Sequence, residues 1–261
     1  MFAGSTDTAA TTLSPEALGG PDYSQIGSTP NFTIFAQAVL GDRGVQIANA
    51  LLAGCEGSYS TLLDWFAASP AGLPFKVYVT KDINGAMHFG CNDTEIYVGT
   101  NDASAPTNNG YNLLLAAELV EVFSASINPQ WNCGFSNGEG LSRVLANAIF
   151  PQDELRDFVT SSIWLDKTTP GGRSRQNWVD QTDPEDTNGF SIGCSVLFLN
   201  WLRFVLELSW SQISGAGAST LAQTYQALTN GGDAWTRFKA DMDARFPPGQ
   251  PSNLTTDNPF V

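Results

Sequence analysis

The sequence predicts an α+β fold in a single domain, with a small, mostly antiparallel sheet packed on a helical C-terminal half. Three observations predict it. Short β-branched and aromatic segments cluster between residues 74 and 99 around a tight-turn signal at Asn84-Gly85. Helical periodicity dominates on both sides of that cluster, with no βαβ alternation and no internal repeat. At 261 residues and 42% hydrophobic content, the chain has enough apolar surface for one sizeable core.

Residues 1–30 are rich in Ser, Thr, Gly, Pro and Ala without periodicity and read as a flexible leader. Folding is expected to begin near Phe32 and to occupy 31–246. From Phe35 to Ala68 apolar residues recur at helical spacing, interrupted by Gly41, Gly44, Gly54 and Gly57, which suggests two or three helix segments. "PFKVYVTK" from Pro74 to Lys81 alternates as a strand, and "AMHFG" and "EIYVG" follow as further strands. A helix over 110–126 and a second beginning near Gly138 come next. "SVLFLNWLRFVLELSW", Ser195 to Trp210, is apolar around most of its circumference and reads as a buried central helix. "TLAQTYQAL" and "AWTRFKADMDARF" are amphipathic, and residues 247–261 form a Pro-rich tail.

Acids outnumber bases 26 to 12, a net charge of −14, which would repel a phosphate backbone or an anionic membrane and sets nucleic-acid binding aside. Polar demand is met by Ser, Thr, Asn, Gln and Gly more than by charge, a balance that leans toward a secreted or extracytoplasmic protein. The N-terminus lacks a basic region followed by an apolar run and does not read as a signal peptide. No apolar run approaches about 18 residues, so no membrane span is expected. Cys55, Cys91, Cys133 and Cys194 contain no C-x-x-C pair. They allow two disulfides in three connectivities, or four buried free thiols in a reducing compartment.

The candidate chemistry lies in Ala117-Glu118-Leu119-Val120-Glu121. Residues three apart share a helix face, so Glu118 and Glu121 project together, and Glu139 arrives at the start of the next helix. Apolar neighbours would desolvate Glu118 and raise its pKa; the alternative is that both acids sit on a solvated helix edge. Arg143, four residues beyond Glu139, can reach into the cluster as a charge partner. His88, the only histidine, is the sole imidazole available for proton transfer near neutral pH, although a lone strand histidine is more often structural. Trp131 could stack on a sugar but reads first as core.

Three other motifs read blandly. "GFSIG", Gly189 to Gly193, matches a nucleophile elbow, but "QTDPEDTN" before it cannot be the required strand, so Ser191 is expected to cap a helix. "DQTDPEDTNG", Asp180 to Gly189, leaves room for weak calcium binding but reads as a solvated acidic loop. "GAGAST" at 215–220 reads as a helix entry.

"AELVE" followed by "NGEGLSRVLA" resembles the zinc helix and glutamate helix of the gluzincin metallopeptidases, thermolysin-like and closer to the plant basic secretory protein type. The resemblance implies a zincin-like fold over roughly 74–245, although its specific part spans about thirty residues. Carried over by position, Ala117 and Glu121 fall where the two zinc-binding histidines belong, Glu118 where the general base belongs, and Glu139 where the third ligand belongs. Arg143 replaces an aspartate that would orient a histidine. Ala117 supplies no donor and Glu121 a hard oxygen, so ordinary zinc peptidase chemistry and a resident cofactor are not expected. The resemblance implies a degenerate, pseudo-peptidase protein binding a peptide, protein or glycan in the former cleft, with a fixed cation, Arg143, in place of the metal. The alternatives are a hydrolase working through Glu118, Glu121 and Glu139, with or without a hard metal, and a structural secreted protein.

Overall fold

A computed structural model describes residues 22–100, 108–151, 159–166 and 175–261. The first strand, β1 (Tyr23–Ser28), lies inside the segment expected to be a flexible leader. It pairs antiparallel with β2 (Phe32–Gln37), so folding begins about nine residues earlier than expected. Residues 1–21 of that leader lie outside the described residues.

β2 has a period-two burial pattern, with Phe32, Ile34 and Ala36 turned inward. After a single 3₁₀ turn at Ala38–Leu40 the chain enters one 26-residue helix, α1 (Gly41–Phe66). The expected two or three segments are therefore a strand and one continuous helix. The glycines that suggested breaks include close-packing positions: a Cβ on Gly54 would lie 2.5 Å from the Asn112 side chain of the next helix.

α1 returns the chain to β3 (Phe75–Thr80), which pairs parallel with β2. This is a strand–helix–strand crossover of the kind parallel pairing requires. β4 (Ala86–Met87) and β5 (Glu95–Gly99) complete five strands in the order β1-β2-β3-β5-β4. The two inner pairings are parallel and the two outer ones antiparallel, so the sheet is mixed rather than mostly antiparallel. The expected turn between β3 and β4 is present, with Gly85 at φ +70.

Helices account for the rest: α2 (Asn108–Ile127), α3 (Ser136–Ile149), α4 (Ser161–Asp166), α5 (Gly189–Phe204), α6 (Trp210–Gly215), α7 (Leu221–Thr229) and α8 (Ala234–Arg245). The class is α+β, as the sequence predicts. α5 is the buried central helix, but it starts six residues before Ser195 and stops at Phe204. Beyond it Glu207 adopts φ 59, and a Ser209/Gln212 capping box starts α6. Asn188, not Ser191, caps α5, accepting from the Phe190 N–H.

The main core joins one sheet face to α1, α2, α3 and α5. Along α2, Leu113, Leu115, Leu119, Val120, Val122 and Phe123 are fully or almost fully buried. Each such Leu or Phe contributes roughly 1.5–3 kcal/mol on burial. One described helix segment, Gly110–Ile127, is long and apolar enough to cross a membrane, and 78% of it is buried within this core. Trp131 is also core, fully buried with its indole N–H donating to the Ser214 carbonyl at 2.9 Å. The Pro-rich tail docks: the buried Asp257 accepts from the Ser161 N–H at 2.7 Å, and its carbonyl accepts from the Asn200 amide.

Cys91 and Cys133 form a disulfide, which fits an oxidising compartment. Cys55 and Cys194 are buried free thiols whose pKa values burial pushes up, which disfavours the thiolate.

Candidate functional site

Three elements bring the site together. α2 presents Glu118 and Glu121 on one face, α3 carries Glu139 in its first turn, and the segment leaving β4 supplies His88. All four line one pocket of about 290 Å³, together with Phe89, Cys91, Cys133 and Asp186.

The histidine is at the centre of the arrangement. His88 Nδ1 lies 2.7 Å from Glu118 Oε2, and Nε2 lies 3.8 Å from Glu121 Oε2. The imidazole is only 4% exposed and the two carboxylates 12% and 11%. His88 is therefore not a surface residue: its side chain is buried among the acids, just past the end of β4. The reading of Glu118 and Glu121 as a solvated helix edge also fails.

Glu139 is hydrogen-bonded to Glu121 and lies 3.6 Å from Arg143 Nη2. Burial holds the Glu121 carboxyl well above the usual carboxylate range, and the charges of Glu118 and Glu139 push it further. Burial likewise raises Glu139 to about 7; Arg143 pulls it down, while Glu118 and Asp186 oppose that pull. The protonated form of Glu121 is therefore favoured, and in that form it donates to Glu139.

Glycine permits this convergence. A Cβ on Gly138 would fall 2.0 Å from the Asn132 carbonyl oxygen, and one on Gly140 would fall 2.5 Å from Ser195 Cβ. α3 can therefore begin hard against the Cys133 loop and pack closely on α5. Reciprocal bonds, Ser136 N–H to the Asp183 carbonyl at 2.9 Å and Asp183 N–H to Ser136 Oγ at 3.1 Å, tie the acidic 180–189 loop to the start of α3. That tie brings Asp186 to the pocket rim. Sequence reading missed Asp186, Cys91 and Cys133 as site residues; the signal for Asp186 was the acidic loop itself.

One acid of that loop is turned inward. Asp183 is buried, accepting from the Glu185 N–H at 3.3 Å and from the Asn188 amide at 2.5 Å. Ser191 is fully buried and donates to the Asn188 carbonyl, which removes it as a nucleophile.

The positions that the gluzincin resemblance assigns to zinc do not form a ligand set here. Ala117 is buried, and its methyl group has no donor atom. Among the described residues a different group, His88, Glu121 and Cys133, brings one ligand atom each within 4.8 Å of one another. With Cys133 in a disulfide, its sulfur is not a thiolate. No family model, curated protein or solved structure matches this chain.

Proposed function

We propose that the protein is a catalytically degenerate, metallopeptidase-like binding protein, working outside the cytoplasm, that holds an extended peptide beside the acidic pocket. The observation that carries this reading is internal charge pairing. His88 meets Glu118, Arg143 meets Glu139 and Glu121 is hydrogen-bonded to Glu139, so groups of the chain itself take the places that a catalytic metal would need. β4 is the terminal strand of the sheet, with β5 on one side, and it runs directly into the pocket wall at His88. Such an edge adds a peptide through main-chain hydrogen bonds. Glu118, Glu121, Glu139 and Asp186 favour a peptide with a basic side chain or amino terminus at the pocket.

Anisotropy titration of labelled extended peptides, one Lys-containing and one with Glu in its place, tests this reading, with mass spectrometry of the same samples. Saturable binding of the Lys peptide without cleavage is the expected result. It should weaken at least tenfold in Glu118→Gln and when Glu replaces Lys in the peptide. Equal binding of both peptides, or none, would overturn it.

One observation favours a second reading, a hydrolase using carboxylate acid–base chemistry. With Nδ1–H donating to Glu118, the Nε2 lone pair of His88 is a base 3.8 Å from the Glu121 carboxyl. Cleavage products that disappear in both His88→Ala and Glu118→Gln would establish that reading over the first.

A further inference from the structure

We infer that reduction of the Cys91–Cys133 disulfide converts the pocket into a zinc site made by Cys133, His88 and Glu121. This does not depend on what the oxidised pocket binds, and it uses a ligand set other than the one the gluzincin resemblance implies.

Three features of the geometry point to it. The donor atoms of the three residues already lie within 4.8 Å of one another, with His88 Nε2 and Glu121 Oε2 at 3.8 Å. Zinc bonds of about 2.0–2.3 Å in a tetrahedron put ligand atoms roughly 3.3–3.8 Å apart, so the site needs to close by about 1 Å at its widest side. Release of Cys133 Sγ from its partner frees the side chain to make that movement.

The imidazole is also oriented for coordination. Glu118 holds Nδ1 at 2.7 Å, which leaves Nε2 toward Glu121 at 3.8 Å. A carboxylate on the far nitrogen is the usual support of a metal-bound histidine. Thiolate, imidazole and carboxylate together are a zinc set, and Glu139 or a water can occupy the fourth position in the same pocket.

The reaction balances with a dithiol as reductant. The dithiol gives up two electrons and two protons and closes to its own disulfide, while the Cys91–Cys133 bond breaks to two thiols. Zinc then binds Cys133 as the thiolate and Glu121 as the carboxylate, and the protons displaced from both groups pass to solvent.

The experiment is titration of Zn²⁺, in competition with a chromophoric chelator, into the full-length protein, oxidised and dithiol-reduced, and into Cys91→Ser, Cys133→Ser and Cys91→Ser/His88→Ala. Cobalt substitution provides the spectroscopic check. The expected result is one zinc per chain in the reduced protein and in Cys91→Ser, at least tenfold tighter than in the oxidised protein. A cobalt–thiolate charge-transfer band should accompany it. Cys133→Ser also lacks the crosslink and controls for its loss; it should show neither binding nor band. Equal zinc affinity in the oxidised and reduced forms would overturn the inference, as would a cooperatively melting Cys91→Ser that binds no zinc. Because metal is the readout, failure here is distinguishable from failure of peptide binding.

Discussion

Two sets of buried carboxylates in this molecule have opposite surroundings. Asp183 and Asp257 are each met by donors: backbone and amide N–H groups at Asp183, and the Ser161 N–H at Asp257. Glu121 and Glu139 instead face each other, with Glu118 close enough to raise both and Asp186 to raise Glu139. Burial is common to both sets, so burial does not mark a site. Buried like charges that must share protons or cations do. The first arrangement stabilises the fold, whereas the second opposes it at neutral pH and makes sense where a ligand is to be held.

The largest expected effect tests the structural set. Asp257→Ala removes the acceptor of a buried backbone N–H and unfastens the tail, and should cost about 2–4 kcal/mol in urea unfolding. A loss below about 1 kcal/mol would put Asp257 in the same class as the pocket acids. Glu121→Gln should do the reverse. By removing a buried acid among like charges it should raise stability at pH 8 by roughly 1–2 kcal/mol.

The pH dependence follows from Glu139. In the unfolded chain its proton leaves near 4.5, in the folded chain at about 7, so the native state holds more protons between those values. Its contribution to stability is therefore complete below about pH 4.5 and is lost as pH rises through about 7. Melts of the wild type should show that decline, and Glu139→Gln should flatten it by about 1–2 kcal/mol between pH 5 and 8. The smallest effect is expected from Arg143→Met. With the guanidinium gone, the Glu139 titration followed by carboxyl NMR should move above 7, at a stability change under about 1 kcal/mol. An unmoved titration would mean the 3.6 Å pair does not tune the site.

Much of this was readable before folding was considered. The helices bearing Glu118, Glu121 and Glu139 have strong local patterns, and i,i+3 geometry alone aligns the first two. The parallel pairing of β2 with β3 was not readable, because its evidence is the crossover through α1. There, glycines that look like breaks in sequence allow close contact in space, as Gly54 does against Asn112. His88 was undervalued for a related reason. Nothing within ten residues of it is acidic except Asp82, Asp93 and Glu95, and its actual partners are 30 and 33 positions away on α2. Only tertiary packing brings a β-edge histidine onto a helix face.

The Cys91–Cys133 bridge has a mechanical consequence as well. A chain pulled from its two ends transmits tension through covalent bonds, and with the bridge closed that path runs from Cys91 directly to Cys133. The 42-residue span it bypasses contains all of α2, and with it Glu118 and Glu121. At about 3.5 Å per residue, roughly 150 Å of contour length is hidden from the load until the sulfur–sulfur bond is cut. While the bond holds, the helix that carries two of the pocket's acids bears none of the tension along the backbone.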